Sequence, residues 1–110
     1  MQNIKKIKIV GLVGSLRKDS YNKSLMGEAV RQCPPEAEIE VLSLNLPLFN
    51  QDQEIDPPKN VKGFKKKIRS VDAILIASPE YNYSVPGVLK NVIDWASRPY
   101  GDNGLKGKIF

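Results

Sequence analysis

The chain has 110 residues, of which 41% are hydrophobic and 26% are charged, and its net charge is +5 with a pI near 9.4. These proportions are ordinary for one soluble globular domain, and they exclude a largely disordered chain and a second domain. The basic balance places nucleic-acid binding among the functions to be considered.

Several classes of protein and site are excluded by what the sequence lacks. No stretch approaches the about 20 consecutive apolar residues of a membrane span, and residues 1–8 are too polar for the apolar core of a signal peptide. Cys33 is the only cysteine and histidine is absent. An intrachain disulfide, the usual zinc ligand sets and Ser-His or Cys-His catalytic pairs therefore cannot form. We expect a cytoplasmic protein that binds neither a membrane nor a metal ion.

The first predicted elements are a strand and a helix. Residues 7–13 are short, β-branched and apolar on both faces toward the end, which is typical of a strand in a parallel sheet. Residues 14–20 are small, polar and rich in hydrogen-bond donors. A helix is predicted from about Tyr21 to Cys33, where two prolines end it. Its apolar positions with helical spacing are Leu25, Ala29, Val30 and Cys33.

A second strand is predicted at residues 39–44, whose partial alternation is typical of a strand near a sheet edge. A long irregular connection with three prolines follows over residues 46–58. Asp56 is predicted to be the N-cap of the next helix, with Pro57 at its first helical position. The predicted buried stripe of that helix consists of Val61, Phe64, Ile68 and Val71.

The remaining elements complete a β-α-β-α-β-α order. Residues 73–77 are continuously apolar and are the best candidate for a central strand, and a helix is predicted over residues 87–97 after a loop. This order predicts a doubly wound parallel sheet in a three-layer α/β/α arrangement. Residues 107–110 look like the opening of a fourth strand. We therefore expect an incomplete sheet of about three strands plus the start of a fourth, as in a fragment or a chain completed by a partner.

The loop after the first strand is the first candidate binding site, because ligands of open α/β sheets bind beyond the carboxyl ends of the strands. Residues 14–22 supply backbone N–H groups, two hydroxyls, an amide and a guanidinium, from Ser15, Ser20, Asn22 and Arg17. These groups can surround a terminal phosphate. Neither a G-x-G-x-x-G nor a G-x-x-x-x-G-K-[ST] motif is present, and a monophosphate suits the loop better than a diphosphate. The alternative is an ordinary turn in which Ser20 only caps the helix.

The loop after the third strand is the second candidate, on the same rim of the sheet. Residues 78–87 contain two tyrosines, two prolines and an asparagine, which make a stiff surface with flat apolar faces and exposed backbone amides. An isoalloxazine ring requires such a surface. The alternative is a proline-stiffened turn whose tyrosines pack on the core.

Three segments resemble the NADPH-dependent FMN reductase family, in one order and at matching spacing. Residues 14–22, G-S-L-R-K-D-S-Y-N, are similar to the family's G-S-x-R-x-x-S-x-N phosphate loop. Residues 78–97, S-P-E-Y-N-Y-S-V-P-G-V-L-K-N-V-I-D-W-A-S, resemble its second flavin loop and the following helix. Residues 46–52, L-P-L-F-N-Q-D, are similar to its L-P-L-F-N-x-D connection. The resemblance implies that residues 1–110 are the N-terminal portion of a single flavodoxin-like domain.

The resemblance also implies a function and a site. Family members bind FMN non-covalently and pass a hydride from NADPH or NADH through it to flavin, quinone, azo or metal-oxyanion acceptors. The flavin carries the chemistry, so no catalytic side chain is expected. The residues that the resemblance assigns to the phosphate are Ser15, Arg17, Ser20, Tyr21 and Asn22. Those that it places beside the ring are Pro79, Glu80, Tyr81, Asn82 and Tyr83.

Two other functions are weighed against this reductase. One is an FMN-binding or structural fragment without turnover, because family members continue through further strands and another cofactor loop that this sequence lacks. The other is a nucleic-acid binder that uses the lysine-rich helix over residues 59–69. The sequence offers no RNA-binding signature or aromatic stripe beside those lysines, so we interpret them as a solvated helix face.

The third helix suggests self-association. Its apolar residues cover more of the circumference than one core-facing stripe requires. A subunit interface anchored by Trp95 would explain the excess, and the resembling family forms dimers and tetramers, so a homodimer or homotetramer is expected. The alternative is a helix sandwiched between the sheet and another element of the same chain.

Overall fold

The computed structural model describes residues 6–14, 21–78, 87–98 and 103–109. Its strands are β1 (Ile7–Val13), β2 (Ala37–Leu42) and β3 (Ala73–Ala77). Its helices are α1 (Tyr21–Arg31), α2 (Lys59–Ser70) and α3 (Gly87–Ser97), and a 3₁₀ turn lies at Gln51–Gln53. β1 pairs in parallel with both other strands, so the sheet order is β2-β1-β3. The predicted parallel α/β architecture is confirmed, with the predicted bounds for β1, β3 and α3.

The two faces of the sheet are covered by different helices. Alternate residues of β1 point to opposite faces, so Val10 and Leu12 meet α2 and α3, whereas Gly11 and Val13 meet α1. This is the predicted three-layer arrangement. The buried residues of the larger core, on the α2 and α3 side, are Val10, Leu12, Leu44, Phe64, Ile68, Val71, Ile74, Leu89, Val92 and Ala96.

The face under α1 is covered less completely. The buried residues of the smaller core are Val13, Met26 and Ala77, with Ile39 packed against them. Gly11 permits this contact, because a Cβ there would lie 2.7 Å from Met26 Sδ. The apolar spacing predicted for this helix does not mark its buried face: Leu25 is 62% exposed, and within α1 only Met26 is buried. Among the described elements, α1 is the helix over this face, and one helix over three strands covers only their middle, which leaves its flanking apolar residues at the surface.

α1 ends at Arg31 and not at Cys33 as predicted. The Cys33 N–H donates to Val30 O at 3.3 Å, three residues back, so the last turn tightens before the two prolines.

β2 lies at one edge of the sheet, as predicted, but it begins at Ala37 and ends at Leu42, two residues earlier than the predicted 39–44. Its residues pair one to one with β1, from Ile7↔Ala37 to Leu12↔Leu42. Beyond Leu42 the Asn45 N–H donates to Ser43 Oγ at 3.1 Å, a local turn that ends the ladder.

β3 pairs with β1 on one side and meets the start of a fourth strand on the other, so it lies inside the described sheet as predicted. The two faces of its apolar run are buried to different extents, since Ile74 is buried in the larger core and Leu75 is 39% exposed. On its outer side, within the described residues, β3 meets one parallel bridge from Ala73 to Ile109. The Ile74 N–H donates to Ile109 O at 2.7 Å. This bridge confirms the predicted opening of a fourth strand.

α2 begins later than predicted and has a different cap. Pro58, with φ −55° and ψ 156°, is the N-cap residue, and the helix starts at Lys59. Because a residue before proline favours the extended region, the Pro57-Pro58 pair delays the helix. Asp56 is therefore not the N-cap; its Oδ1 lies 2.6 Å from Lys62 Nζ. This hydrogen bond and the lysine charge hold the pKa of the Asp56 carboxyl below its ordinary value.

The buried stripe predicted for α2 is confirmed at Val61, Phe64, Ile68 and Val71. The lysines on its other side are at the surface, and Lys67 Nζ lies 2.8 Å from Glu40 Oε2 in a half-exposed ion pair. Such pairs contribute little to stability, about 0–1 kcal/mol. The carbonyls at the end of the helix are capped by Lys108, whose Nζ donates to Arg69 O at 3.0 Å and to Val71 O at 2.6 Å.

Two neighbouring residues of β3 test the assignment of the larger core. Ile74→Ala should lower the free energy of unfolding by about 2–5 kcal/mol, because it leaves a cavity in a packed interior. Leu75→Ala, on the opposite face, should cost less than half as much. Urea denaturation midpoints measure both, and Ile74→Val, with an expected loss of about 0.5–1.5 kcal/mol, serves if the alanine variant does not fold. Equal losses at the two positions would contradict the assignment.

Candidate functional site

The carboxyl ends of β1 and β3 lie side by side. Val13 and Ala77, the last residues of these strands, are register partners, and the Gly14 N–H donates to Ala77 O at 2.8 Å. Gly14 leads into the first predicted binding loop, and Ser78 leads into the second. Both loops therefore leave the sheet from adjacent points on one edge, where a ligand of an open α/β sheet is expected to bind.

Gly14 is required by the close approach of these two points. A Cβ at Gly14 would lie 2.6 Å from Ser78 Oγ and 2.9 Å from Ser78 Cβ. Both distances are shorter than non-bonded carbon contacts allow, and the Ser78 Cβ is not the end of a flexible chain that could move away. Any larger residue at position 14 would push the starts of the two loops apart.

The structure describes two of the ten predicted site residues. Tyr21 and Asn22 are the first residues of α1; Tyr21 is 93% exposed and Asn22 is half-buried. The first N–H groups of a helix have no partner within the helix and favour an anion there. The predicted site residues that lie outside the described ranges are Ser15, Arg17, Ser20, Pro79, Glu80, Tyr81, Asn82 and Tyr83.

The long connection after β2 is fixed to α3 by a buried asparagine. Asn91 is 9% exposed; its Oδ1 accepts from the Phe49 N–H at 2.7 Å and its Nδ2 donates to Pro47 O at 3.0 Å. Trp95 Nε1 donates to the same carbonyl at 2.8 Å. Because Asn91 satisfies backbone groups that no strand or helix satisfies, it determines where the connection runs. The sequence analysis missed this residue; a polar position within the apolar face of the third helix was the available signal.

Trp95 is not available to a partner subunit. It is 1% exposed, and its ring meets Phe49 edge to face with the centroids 5.0 Å apart. The prediction that Trp95 anchors a subunit interface is therefore wrong. The connection and the sheet of the same chain cover α3, which is the alternative that the sequence left open.

The connection is held at a second point by a mostly buried charge pair. Arg98 Nε lies 2.9 Å from Glu54 Oε1, and these side chains are 16% and 14% exposed. The two atoms are at ion-pair distance but do not meet in hydrogen-bond geometry. The guanidinium also lies 5.4 Å from the centre of the Phe49 ring. Removing Arg98 would leave the mostly buried Glu54 carboxylate without this ion pair, so the pair helps to hold residues 49–54 against the end of α3.

The described part of the chain offers neither a metal centre nor a membrane-spanning helix. No group of three or more His, Cys, Asp or Glu side chains there could hold a metal ion. None of its helices is long and apolar enough to cross a membrane.

Comparison with known proteins identifies the family. Residues 7–110 match the sequence profile described as NADPH-dependent FMN reductase. The chain belongs to this family. It is 45% identical over 103 residues to the 2-hydroxy-1,4-benzoquinone reductase of a Burkholderia species, a match that covers 93% of this chain and 56% of that protein. It is 50% identical over 95 residues to an NAD(P)H-dependent FMN reductase of Pseudomonas aeruginosa, covering 84% of this chain and 51% of that protein.

A solved structure confirms the flavodoxin-like fold. The flavoenzyme NAD(P)H:(acceptor) oxidoreductase FerB from Paracoccus denitrificans superimposes with a TM-score of 0.86 at 45% sequence identity. The match covers 93% of this chain and 57% of that chain. The chain thus spans about half the length of the family members it matches.

The contact between the two loop starts can be tested by adding one methyl group. Gly14→Ala should lower the free energy of unfolding by about 1–3 kcal/mol, because it overpacks the contact with Ser78. Adding Ser78→Gly removes both close atoms, leaves the Ser78 Cα 3.3 Å away, and should recover part of the loss. The control is Gly63→Ala on α2, where a Cβ meets no atom within 4 Å; it should stabilise the helix by about 0.5–1 kcal/mol. Denaturation measures all three, and a harmless Gly14→Ala would refute the contact.

Proposed function

We propose that this chain is the flavin-binding portion of an FMN-dependent NAD(P)H oxidoreductase. The observation that carries the proposal is the adjacency of Gly14 and Ser78 at the carboxyl ends of β1 and β3, because both family binding loops start from these two points. In folds of this order FMN binds where β1 and β3 meet. Family membership and the flavoenzyme with the similar structure support the same function.

The proposed roles of the site residues follow the family loops. The FMN phosphate is bound at the N-terminus of α1 by Ser15, Arg17, Ser20, Tyr21 and Asn22. The described geometry fits this, since residues 21 and 22 form the first turn of a helix that begins beside the end of β1. The isoalloxazine ring is bordered by Pro79, Glu80, Tyr81, Asn82 and Tyr83.

The reaction that we propose moves electrons from NADPH or NADH to a small acceptor. Bound FMN supplies the hydride chemistry, and the protein supplies position, electrostatics and access. Quinones are the favoured acceptors, because similar proteins carry the names 2-hydroxy-1,4-benzoquinone reductase and NAD(P)H:quinone oxidoreductase. Free flavin, azo compounds and metal oxyanions are the other acceptor classes that the family resemblance implies. The sequence contains no histidine, which agrees with a mechanism that needs no general acid or base from the protein.

A second candidate is a chain that binds FMN without turnover. The family match and the relatives named as quinone and FMN reductases favour the oxidoreductase over this alternative. Turnover separates this candidate from the reductase, whereas FMN binding is common to both.

We also propose that the protein is a homodimer or homotetramer in the cytoplasm. Large apolar side chains remain at the surface, including Leu25 at 62%, Leu48 at 83% and Ile55 at 93% exposure. Leu48 lies between Pro47 and Phe49, whose backbone groups are both bonded to Asn91, so it is held outward. Contact with a second copy would cover such residues.

Purified protein tests the two candidates. A yellow protein with flavin absorbance that bleaches on addition of NADPH, and recovers on addition of a quinone, supports the oxidoreductase. Colour without bleaching identifies the FMN-binding chain without turnover. A colourless protein that does not bind added FMN would rule out both candidates for this chain.

The phosphate site is tested at Arg17. Arg17→Ala should weaken FMN binding by about 1.5–3 kcal/mol, because it removes a charged hydrogen bond to the phosphate. The matched control is Arg31→Ala at the last residue of α1, about 15 Å along the helix from its first residue. This variant should leave the FMN affinity unchanged. Titration followed by flavin fluorescence measures both. Equal FMN affinity in wild type and Arg17→Ala would place the phosphate elsewhere.

A further inference from the structure

A cleft of about 360 Å³ lies beside α1, on the side of β1 away from β3. Its walls are the first turns of α1, with Lys23, Met26 and Gly27, and residues 41–44 at the end of β2. Val13, at the carboxyl end of β1, also lines it. The cleft therefore opens on the same edge as the proposed flavin site but over the β1–β2 pair and not the β1–β3 pair.

In the proposed arrangement, the cleft and the flavin would lie on opposite sides of β1. The FMN phosphate is proposed to bind where β1 leads into α1, with the ring toward the loop after β3. Neighbouring strands are about 4.8 Å apart, so the cleft over β2 would lie close to the proposed flavin site. A group bound in the cleft would leave the flavin ring accessible. The other end of the same ligand could still reach the ring.

The chemistry of the walls defines the class of ligand. The apolar lining residues are Val13, Met26, Val41 and Leu44, and of these Val41, which is 48% exposed, presents the accessible apolar surface. Lys23 supplies a cationic group, and Ser43 supplies a hydroxyl at the exposed end of β2. A flat apolar group that carries phosphate matches this combination.

The groove on the other side of α1 is similar in size to the cleft but differs in its charged lining residue. It has a similar volume of about 390 Å³ and is lined by Leu25, Ala29 and Leu75 among others. Its charged lining residue is Glu28, and no cationic side chain is among its described lining residues. Because Glu28 is already paired with Arg31, the groove neither attracts nor strongly repels a phosphate, and the lysine that lines the cleft at β2 favours that cleft.

We infer that the cleft at β2 binds the adenosine-phosphate end of the NAD(P)H donor, with Lys23 beside a phosphate and the adenine against the apolar wall. This inference rests on the proposed oxidoreductase function, which requires a dinucleotide donor whose nicotinamide reaches the flavin. The adenosine end takes no part in the electron transfer, so its binding site lies away from the ring. Lys23 and Ser43 thereby become residues that determine donor affinity.

Gly27 allows a direct steric test. A Cβ at Gly27 meets no atom within 4 Å, so Gly27→Leu should fold while its side chain fills the cleft. Gly63→Leu on α2 is the matched control, since that position is equally open and lies outside the cleft. The probes are 2′,5′-ADP, which is the adenosine end of NADPH, and FMN, each titrated separately by calorimetry. We expect Gly27→Leu to weaken 2′,5′-ADP binding by about tenfold or more and to leave FMN affinity within about twofold; Gly63→Leu should change neither.

Lys23 provides the second variant. Lys23→Ala should weaken binding of 2′,5′-ADP by about tenfold, because it removes the lysine that pairs with a phosphate of this ligand. Binding of adenosine, which has no phosphate, should weaken much less. Lys90→Ala, on the exposed surface of α3, is the charge-matched control. If Lys23→Ala weakened FMN and 2′,5′-ADP equally, the cleft would belong to the flavin phosphate and the inference would be wrong.

The outcomes distinguish this inference from the proposed function. If the wild-type chain binds FMN but not 2′,5′-ADP, the adenosine site is wrong and the flavin function remains intact. The same conclusion follows if Gly27→Leu binds 2′,5′-ADP as tightly as the wild-type chain. A chain that binds 2′,5′-ADP in the cleft but never binds FMN supports a nucleotide site and refutes the flavoprotein. Circular dichroism melts of every variant confirm that each one is folded.

Discussion

The pairing of β1 with a strand on each side is the constraint on which the other features depend. Its ladder with β2 runs from Ile7 to Leu12, and its ladder with β3 runs from Ile9 to Val13. The registers end close together, so the chain leaves β1 and β3 at adjacent points. The Gly14 N–H to Ala77 O bond and the missing side chain at Gly14 extend this adjacency into the loops. A shift of one register would invert every side chain and separate the two halves of the candidate site.

The unequal covering of the two faces has consequences for both stability and binding. α2 and α3 bury one face, and Asn91 and Trp95 add the connection after β2 to that layer. In the described part of the chain, the other face is covered by α1, which packs on β1 through the Gly11 and Met26 contact. A space remains on each side of α1, and the charged lining residues of the two spaces differ: Lys23 lines the one near β2, and Glu28 lines the one near β3. The first therefore suits an anionic ligand.

Elements whose residues carry their own local signal were predictable from the sequence. The bounds of β1, β3 and α3 and the buried stripe of α2 followed from apolar periodicity alone. The start of α2 did not, because Asp56 and the two prolines form a capping pattern that Pro58 overrides by its extended backbone.

The sequence by itself determined the class of fold, the family and the two loops that its motifs mark, because glycine, proline and apolar spacing act over a few residues of chain. Only the tertiary structure decided which apolar residues are covered. Leu25 and Trp95 have the same local apolar character, yet one is 62% exposed and the other 1%. Only contacts between residues distant in the chain could reveal that Asn91 holds the connection, that Gly14 must lack a side chain, and that the end of β2 faces α1 across a cleft. Each of these depends on how the strands and helices are placed around β1, which no short segment encodes.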